Sequence, residues 1–325
     1  MSKYQNKSDL NLINFDPRLG WDYEIDSQRI RGDKVYSKAK PVGKFRILML
    51  GDSYTYGNEV QDDENFPYYM ERILPNVEVL NMGAGGYGMD QMVLKYKHHG
   101  KAYHPDLVIV GLFVGDFERA SVGFFAFAKP KFIFNESSGA FHLKNVPVPE
   151  PGQMYVAIRE EARPVSYIWT LIQKARLKFP AMKLQLVTQW YAQMSRLTEY
   201  LFSNLKSDVE AQGGRLAVVQ IPAGERFLEP PFKTHGRSAN FKVISDLGIP
   251  VIHLEQQFLN QYGRKKVEKE FYIHRANGKL GHLSPPGNRA AAEIIARHLC
   301  ENSRKFVGTN YPLTCSFSEA ETPAG

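Results

Sequence analysis

The sequence predicts a three-layer α/β fold: a doubly wound, parallel five-stranded sheet with helices on both faces, interrupted by one insertion. Three observations lead there. Short apolar runs, several closed by a glycine, recur along the chain. Segments of helical spacing stand between them, and that alternation builds parallel sheets with crossover helices. A long stretch between residues 120 and about 185 breaks the rhythm once.

Residues 1–43 are polar, carry Asp16-Pro17-Arg18-Leu19-Gly20-Trp21 and then Arg29 to Lys34, and read as an arm lying on the domain. The domain itself spans 44–302. Its first strand is Arg46 to Leu50, an apolar run ended by Gly51. Helical spacing follows at 64–74, a second strand at Val77 to Leu80, a glycine-rich loop at 83–88 and a helix at 89–98 beginning near Asp90. The third strand is Leu107 to Phe113. The insertion holds Phe124, Phe125 and Phe127, the proline-spaced Val146 to Pro151, and helical spacing at 166–179; it reads as a cap. A helix at about 186–212, strands at Arg215 to Ile221 and Pro250 to Leu254, and an amphipathic helix at 286–301 complete the domain. The tail 303–325 is polar and reads as disordered.

With 43% hydrophobic residues and 12% aromatics, the chain of 325 residues can bury a full core. Its 41 Lys and Arg against 34 Asp and Glu give a formal charge of +7, compatible with an anionic substrate or a membrane surface, or with a merely solvated basic surface. Basic runs such as Arg264-Lys265-Lys266 are short and lack interleaved aromatics, which excludes a nucleic-acid groove. Cys300 and Cys315 are the only cysteines; they offer neither a disulfide framework nor a thiolate metal site, and Cys300 reads as an apolar helix position. No apolar segment approaches the ~20 residues of a spanning helix. The start of the chain has no apolar run of the export-signal kind. The compartment stays open: cytoplasmic, unless an export signal or anchor was trimmed.

Three constellations carry chemistry. Gly51-Asp52-Ser53-Tyr54-Thr55-Tyr56-Gly57 follows the first strand, at the carboxyl end where open α/β sheets bind ligands. Ser53 suits a nucleophile there, although Asp and Ser also simply cap turns. Asn81 to Gly88 follows the second strand, and its glycines let a backbone N–H approach a ligand; a plain turn is the alternative. Its spacing does not follow the dinucleotide-binding rule. His282, in Gly281-His282-Leu283-Ser284-Pro285-Pro286, stands in a loop before the last helix. A serine, a glycine loop and a histidine meeting at one end of a sheet supply the nucleophile, oxyanion donors and base that ester hydrolysis needs.

These blocks resemble the SGNH/GDSL hydrolase family, in its bacterial carbohydrate- and cell-envelope-associated type, over about 45–117 and 215–301. The resemblance implies a flavodoxin-like fold and a serine esterase or deacylase, with O-acetyl groups on a carbohydrate among its substrates. It implies Ser53 as nucleophile and His282 as base. The N–H groups of Ser53 and Gly86 are the implied oxyanion donors, with that of Gly115 as a further one, and neither cofactor nor metal is required. The chain departs from the family pattern twice. Val114-Gly115-Asp116-Phe117 lacks the usual Asn, and Lys279 and Leu280 stand where the acid that orients the histidine is expected. Asn277 is then the nearest candidate orienter, with Asp116 or a backbone carbonyl as alternatives. An O-acyltransferase and a catalytically impaired binding protein on the same fold are the alternatives.

Overall fold

The computed structural model describes residues 13–23, 28–153, 180–222, 224, 235–308 and 313–317. Two strands, β1 (Ile13–Asp16) and β2 (Gly20–Tyr23), form an antiparallel hairpin at the start. The central sheet follows with β3 (Phe45–Gly51), β4 (Val77–Asn81) and β5 (Leu107–Leu112). Between and after these lie α1 (Ser53–Tyr56), α2 (Phe66–Ile73), α3 (Met89–His98) and α4 (Val114–Ala120). Two small hairpins come next: β6 (Phe124–Phe125) with β7 (Phe127–Ala128), and β8 (Lys131–Asn135) with β9 (Ala140–Lys144). The chain continues through α5 (Pro180–Glu210), β10 (Arg215–Gln220), α6 (His235–Asp246), β11 (Val251–His253), α7 (Leu254–Tyr262) and α8 (Arg264–Glu270). A last hairpin, β12 (Tyr272–His274) with β13 (Leu280–Leu283), precedes α9 (Pro285–Glu301) and α10 (Ser303–Phe306).

The five-stranded sheet is parallel throughout, in the order β11-β10-β5-β3-β4. Numbered by their own sequence order, its strands run 2-1-3-4-5, the flavodoxin-like arrangement, and the direction of winding reverses between β3 and β5. Alternation along each strand assigns the layers. Leu48, Leu50, Leu80, Val108, Val110 and Val218 face one core with Met92, Leu201, Phe202 and Ile244. Ile47, Met49, Val79, Ile109, Val219 and Ile252 face the other with Met70, Phe258, Ile295 and Leu299.

The arm is built into the first core, where Leu19, Trp21 and Tyr23 are buried with Ile30 and Tyr36. Lys95 of α3 reaches back to Asp22 at 2.5 Å, both side chains all but fully buried. The expected helix at 166–179 lies outside the described residues. Two expectations are corrected. The tail does not leave the domain at 303: Phe306 and Leu313 are buried, and the Ser316 N–H donates to the Ile73 carbonyl. Cys300 is not a plain apolar position, because it forms a disulfide with Cys315 and so fastens that tail to α9. Among the described residues no helix is long and apolar enough to cross a membrane.

The first apolar run hides a charge. Arg46 and Glu78 are register partners on β3 and β4, and the fully buried guanidinium bonds Glu78 Oε2 through Nε (2.9 Å) and Nη2 (2.6 Å). Its Nη1 bonds the carbonyls of Lys38 and Tyr103. Removing one partner of such a pair strands the other charge. Glu78→Ala is expected to lower stability by about 3–5 kcal/mol in urea denaturation; a loss under about 1 kcal/mol would show that the pair behaves as a solvated one.

Candidate active site

Ser53 opens α1 directly after β3, at the carboxyl end of the sheet. Asp52 caps this short helix by accepting from the Tyr54 N–H at 2.9 Å, and Gly57, with φ 84°, ends it in the left-handed region. The amide of a first helical residue has no intrahelical acceptor, so that of Ser53 is available to a ligand. The loop after β4 docks against α1 through Asn81, whose Nδ2 donates to the Thr55 carbonyl at 2.9 Å while its Oδ1 accepts from the Gly83 N–H at 3.0 Å. A Cβ on Gly83 would lie 2.3 Å from the Tyr56 nitrogen, so only glycine permits this approach of backbone to backbone.

His282 stands on β13, not in a loop, and is brought from the far end of the sequence to Ser53. Its Nε2 lies 2.9 Å from Ser53 Oγ, and its Nδ1 lies 2.6 Å from Glu59 Oε2. A carboxylate only accepts, so Nδ1 carries the proton and Nε2 presents the lone pair to the serine hydroxyl. The second acceptor near that hydroxyl, Asp52 Oδ2, is farther away at 3.3 Å. The three side chains are mostly sheltered, with Ser53 7% exposed and the His282 and Glu59 side chains 18% and 17% exposed.

Glu59 is the residue that sequence reasoning missed. It sits past the end of α1 with φ 72°, a left-handed conformation uncommon for glutamate and one that aims its side chain across the sheet end. Besides His282 Nδ1, its carboxylate accepts from the His282 backbone N–H at 3.1 Å and from both Nε (3.1 Å) and Nη2 (2.8 Å) of Arg275. Burial alone would raise this carboxyl, but the bonds from His282 and Arg275 outweigh burial and hold it well below the usual carboxylate range. Gly281 leaves the space: a Cβ there would come within 2.7 Å of Glu59 Oε2 and 2.9 Å of Arg275 Nε.

Both expected orienters are corrected. Asn277 accepts from the Lys279 N–H at 3.1 Å on the exposed hairpin turn. Asp116 is buried under α4, where it accepts from the Phe113 N–H and from Arg119 Nη1. The contact to Nδ1 that either was expected to make is made by Glu59.

Gly86 adopts φ 81° on the loop facing Phe125, whose ring would lie 3.5 Å from a Cβ there. Gly115 is the second residue of α4, where its amide likewise lacks an intrahelical acceptor. A side chain at Gly115 is blocked, since its Cβ would meet the Phe113 ring at 2.1 Å. Phe124, Phe125 and Phe127 are 37–40% exposed, so this part of the insertion does not bury its aromatics against the sheet. Among the described residues no cluster of three or more His, Cys, Asp or Glu is arranged to hold a metal.

No protein-family model and no curated protein matches the sequence. Among solved structures the chain is similar in fold to a lipase/acylhydrolase from Enterococcus faecalis, at 15% identity and a TM-score of 0.43, covering 78% of this chain and 95% of the other. It is also similar to a lipolytic protein of the G-D-S-L family from Desulfitobacterium hafniense, at 11% identity and a TM-score of 0.42 over 78% and 99% of the two chains. An acetyl xylan esterase gives 12% identity and a TM-score of 0.45 over 78% and 100%. The likeness is one of topology, and the chemistry has to be read from this chain's own side chains.

Two outcomes test this geometry. Gly281→Ala is expected to displace the Glu59 carboxylate and so to weaken whatever reaction the site performs while the fold persists, read as ester turnover beside circular dichroism. The stability that Glu59 contributes is complete above the ordinary glutamate range near about pH 4.3 and is lost only as the pH falls through its lowered folded value. Glu59→Gln should therefore melt below the wild type at neutral pH, with the difference shrinking in strong acid; a difference independent of pH would contradict the lowered carboxyl.

Proposed function

We propose that the protein is a serine hydrolase of carboxylic esters in which Ser53 is the nucleophile, His282 the general base and Glu59 the acid that orients it. The observation that carries this reading is the unbroken chain from Ser53 Oγ to His282 Nε2 at 2.9 Å and from His282 Nδ1 to Glu59 Oε2 at 2.6 Å. In that order of contacts Nε2 takes the hydroxyl proton as Oγ attacks the acyl carbon, and Glu59 stabilises the imidazolium that forms. The same Nε2–H then protonates the departing alcohol. A water molecule, deprotonated by His282, releases the acyl group from Ser53 and restores the site.

The tetrahedral oxyanion is assigned to the amides of Ser53, Gly86 and Gly115, without a side-chain amide. Its loss is a matter of rate, of about 10²–10³ in a protease where one such donor was removed. A catalytically impaired binding protein would lack an acid at the histidine, and Glu59, from the turn after α1, stands against His282 Nδ1. O-acyl groups on a carbohydrate remain the substrate reading, with hydrolysis as the reaction; transfer to a sugar hydroxyl would use the same acyl-serine.

Ser53→Ala and His282→Ala are each expected to reduce hydrolysis of 4-nitrophenyl acetate by about 10⁴–10⁶-fold, and Glu59→Gln by about 10²–10⁴-fold. Rates unchanged in Ser53→Ala would sink the hydrolase reading. Unchanged rates in Glu59→Gln alone would leave a Ser–His dyad.

A further inference from the structure

Arg119, on α4, joins the three segments that converge on Ser53. Its Nη1 donates to Asp52 Oδ2 at 3.0 Å, to Asp116 Oδ1 at 2.9 Å and to the Tyr87 carbonyl at 3.1 Å. Asp52 Oδ2 is the same oxygen that stands 3.3 Å from Ser53 Oγ. The guanidinium is held by two aromatic rings, its Cζ 4.8 Å from the centroid of Phe113 and 4.8 Å from that of Phe125. Its side chain is 15% exposed.

All three bonds use one nitrogen. Nε and Nη2, the edge that suits a carboxylate with two parallel bonds, have no acceptor among the described residues. A structural tie needs Nη1 alone, and with the side chain 15% exposed the other two nitrogens are left open to a ligand. Phe125 also faces Gly86, so the ring against the guanidinium is shared with a candidate oxyanion amide.

We propose that Arg119 anchors a carboxylate carried by the ester substrate, making the site selective for anionic esters; this deepens, and rests on, the hydrolase reading above. Burial first, and then the charge of Asp52, push the Asp116 carboxyl well above its ordinary range, and Arg119 opposes that shift. Phe113 and Phe125 flank the cation and help hold it in place for a bond to an anion.

The substrate carboxylate has two sources, the acyl group or the alcohol, and paired esters separate them. On the acyl side, 4-nitrophenyl hydrogen succinate is compared with 4-nitrophenyl acetate; on the alcohol side, O-acetylated methyl glucuronoside is compared with O-acetylated methyl glucoside. Each pair is measured with wild type, Arg119→Lys and Arg119→Gln. The expected result is a kcat/KM about tenfold or more higher for the anionic member of one pair, carried by KM. That ratio should fall towards one in Arg119→Gln and be partly kept in Arg119→Lys. Because the ratio is internal to each variant, a general loss of activity does not mimic it. A wild type without preference in either pair, or a preference that survives Arg119→Gln, overturns the inference and leaves the hydrolase standing. If none of the four esters is turned over, the hydrolase reading falls. Calorimetric binding of the same esters to Ser53→Ala, with and without Arg119→Gln, then decides Arg119 by itself: a Kd ratio that disappears with the arginine supports the anchor, and equal Kd values refute it.

Discussion

The carboxylate of Glu59 is the constraint on which the site depends. It takes two bonds from His282 and two from Arg275, and so ties the turn after α1 to a hairpin more than 200 positions away, at His282 with a separation of 223. Charge-assisted bonds of this kind are short and directional. They fix the imidazole tautomer, its plane and its distance from Ser53 at once. The left-handed backbone of Glu59 shows the local preference being overruled, since four acceptor contacts outweigh a conformation that glutamate on its own avoids.

Most of the sheet was legible because burial writes itself into composition. Strands covered on both faces must be apolar throughout, and the runs at 46–50, 77–80, 107–113 and 215–221 coincide with β3, β4, β5 and β10 to within a residue or two at their ends. The hairpins β1–β2 and β12–β13 left no such trace. Asp16 and Asp22 are buried although polar, and their burial works through ion pairs to Arg29 that composition does not reveal. Arg46 was read inside an apolar run for the same reason, with its partner one strand away.

Ser53 and His282 could be found because each lies in a dense local string of glycines and turn residues. Glu59 could not, because nothing in Asn58-Glu59-Val60 distinguishes it from an exposed loop acid. The one available signal was steric: Gly281 precedes the histidine where a side chain would have closed the space that the carboxylate fills. Asn277 is near His282 in sequence and Asp116 is not, and neither decides the matter, because an orienting acid is selected by nearness in space.

The disulfide has a practical corollary. The chain holds two cysteines, and both are joined to each other at the far end of α9, the helix that follows His282. With no free thiol in the oxidised protein, the usual confusion between cysteine and serine acylation does not arise. An electrophilic acyl or phosphonate probe that labels the folded molecule has no thiol to capture it, so covalent labelling becomes a clean report on hydroxyl and amine nucleophiles.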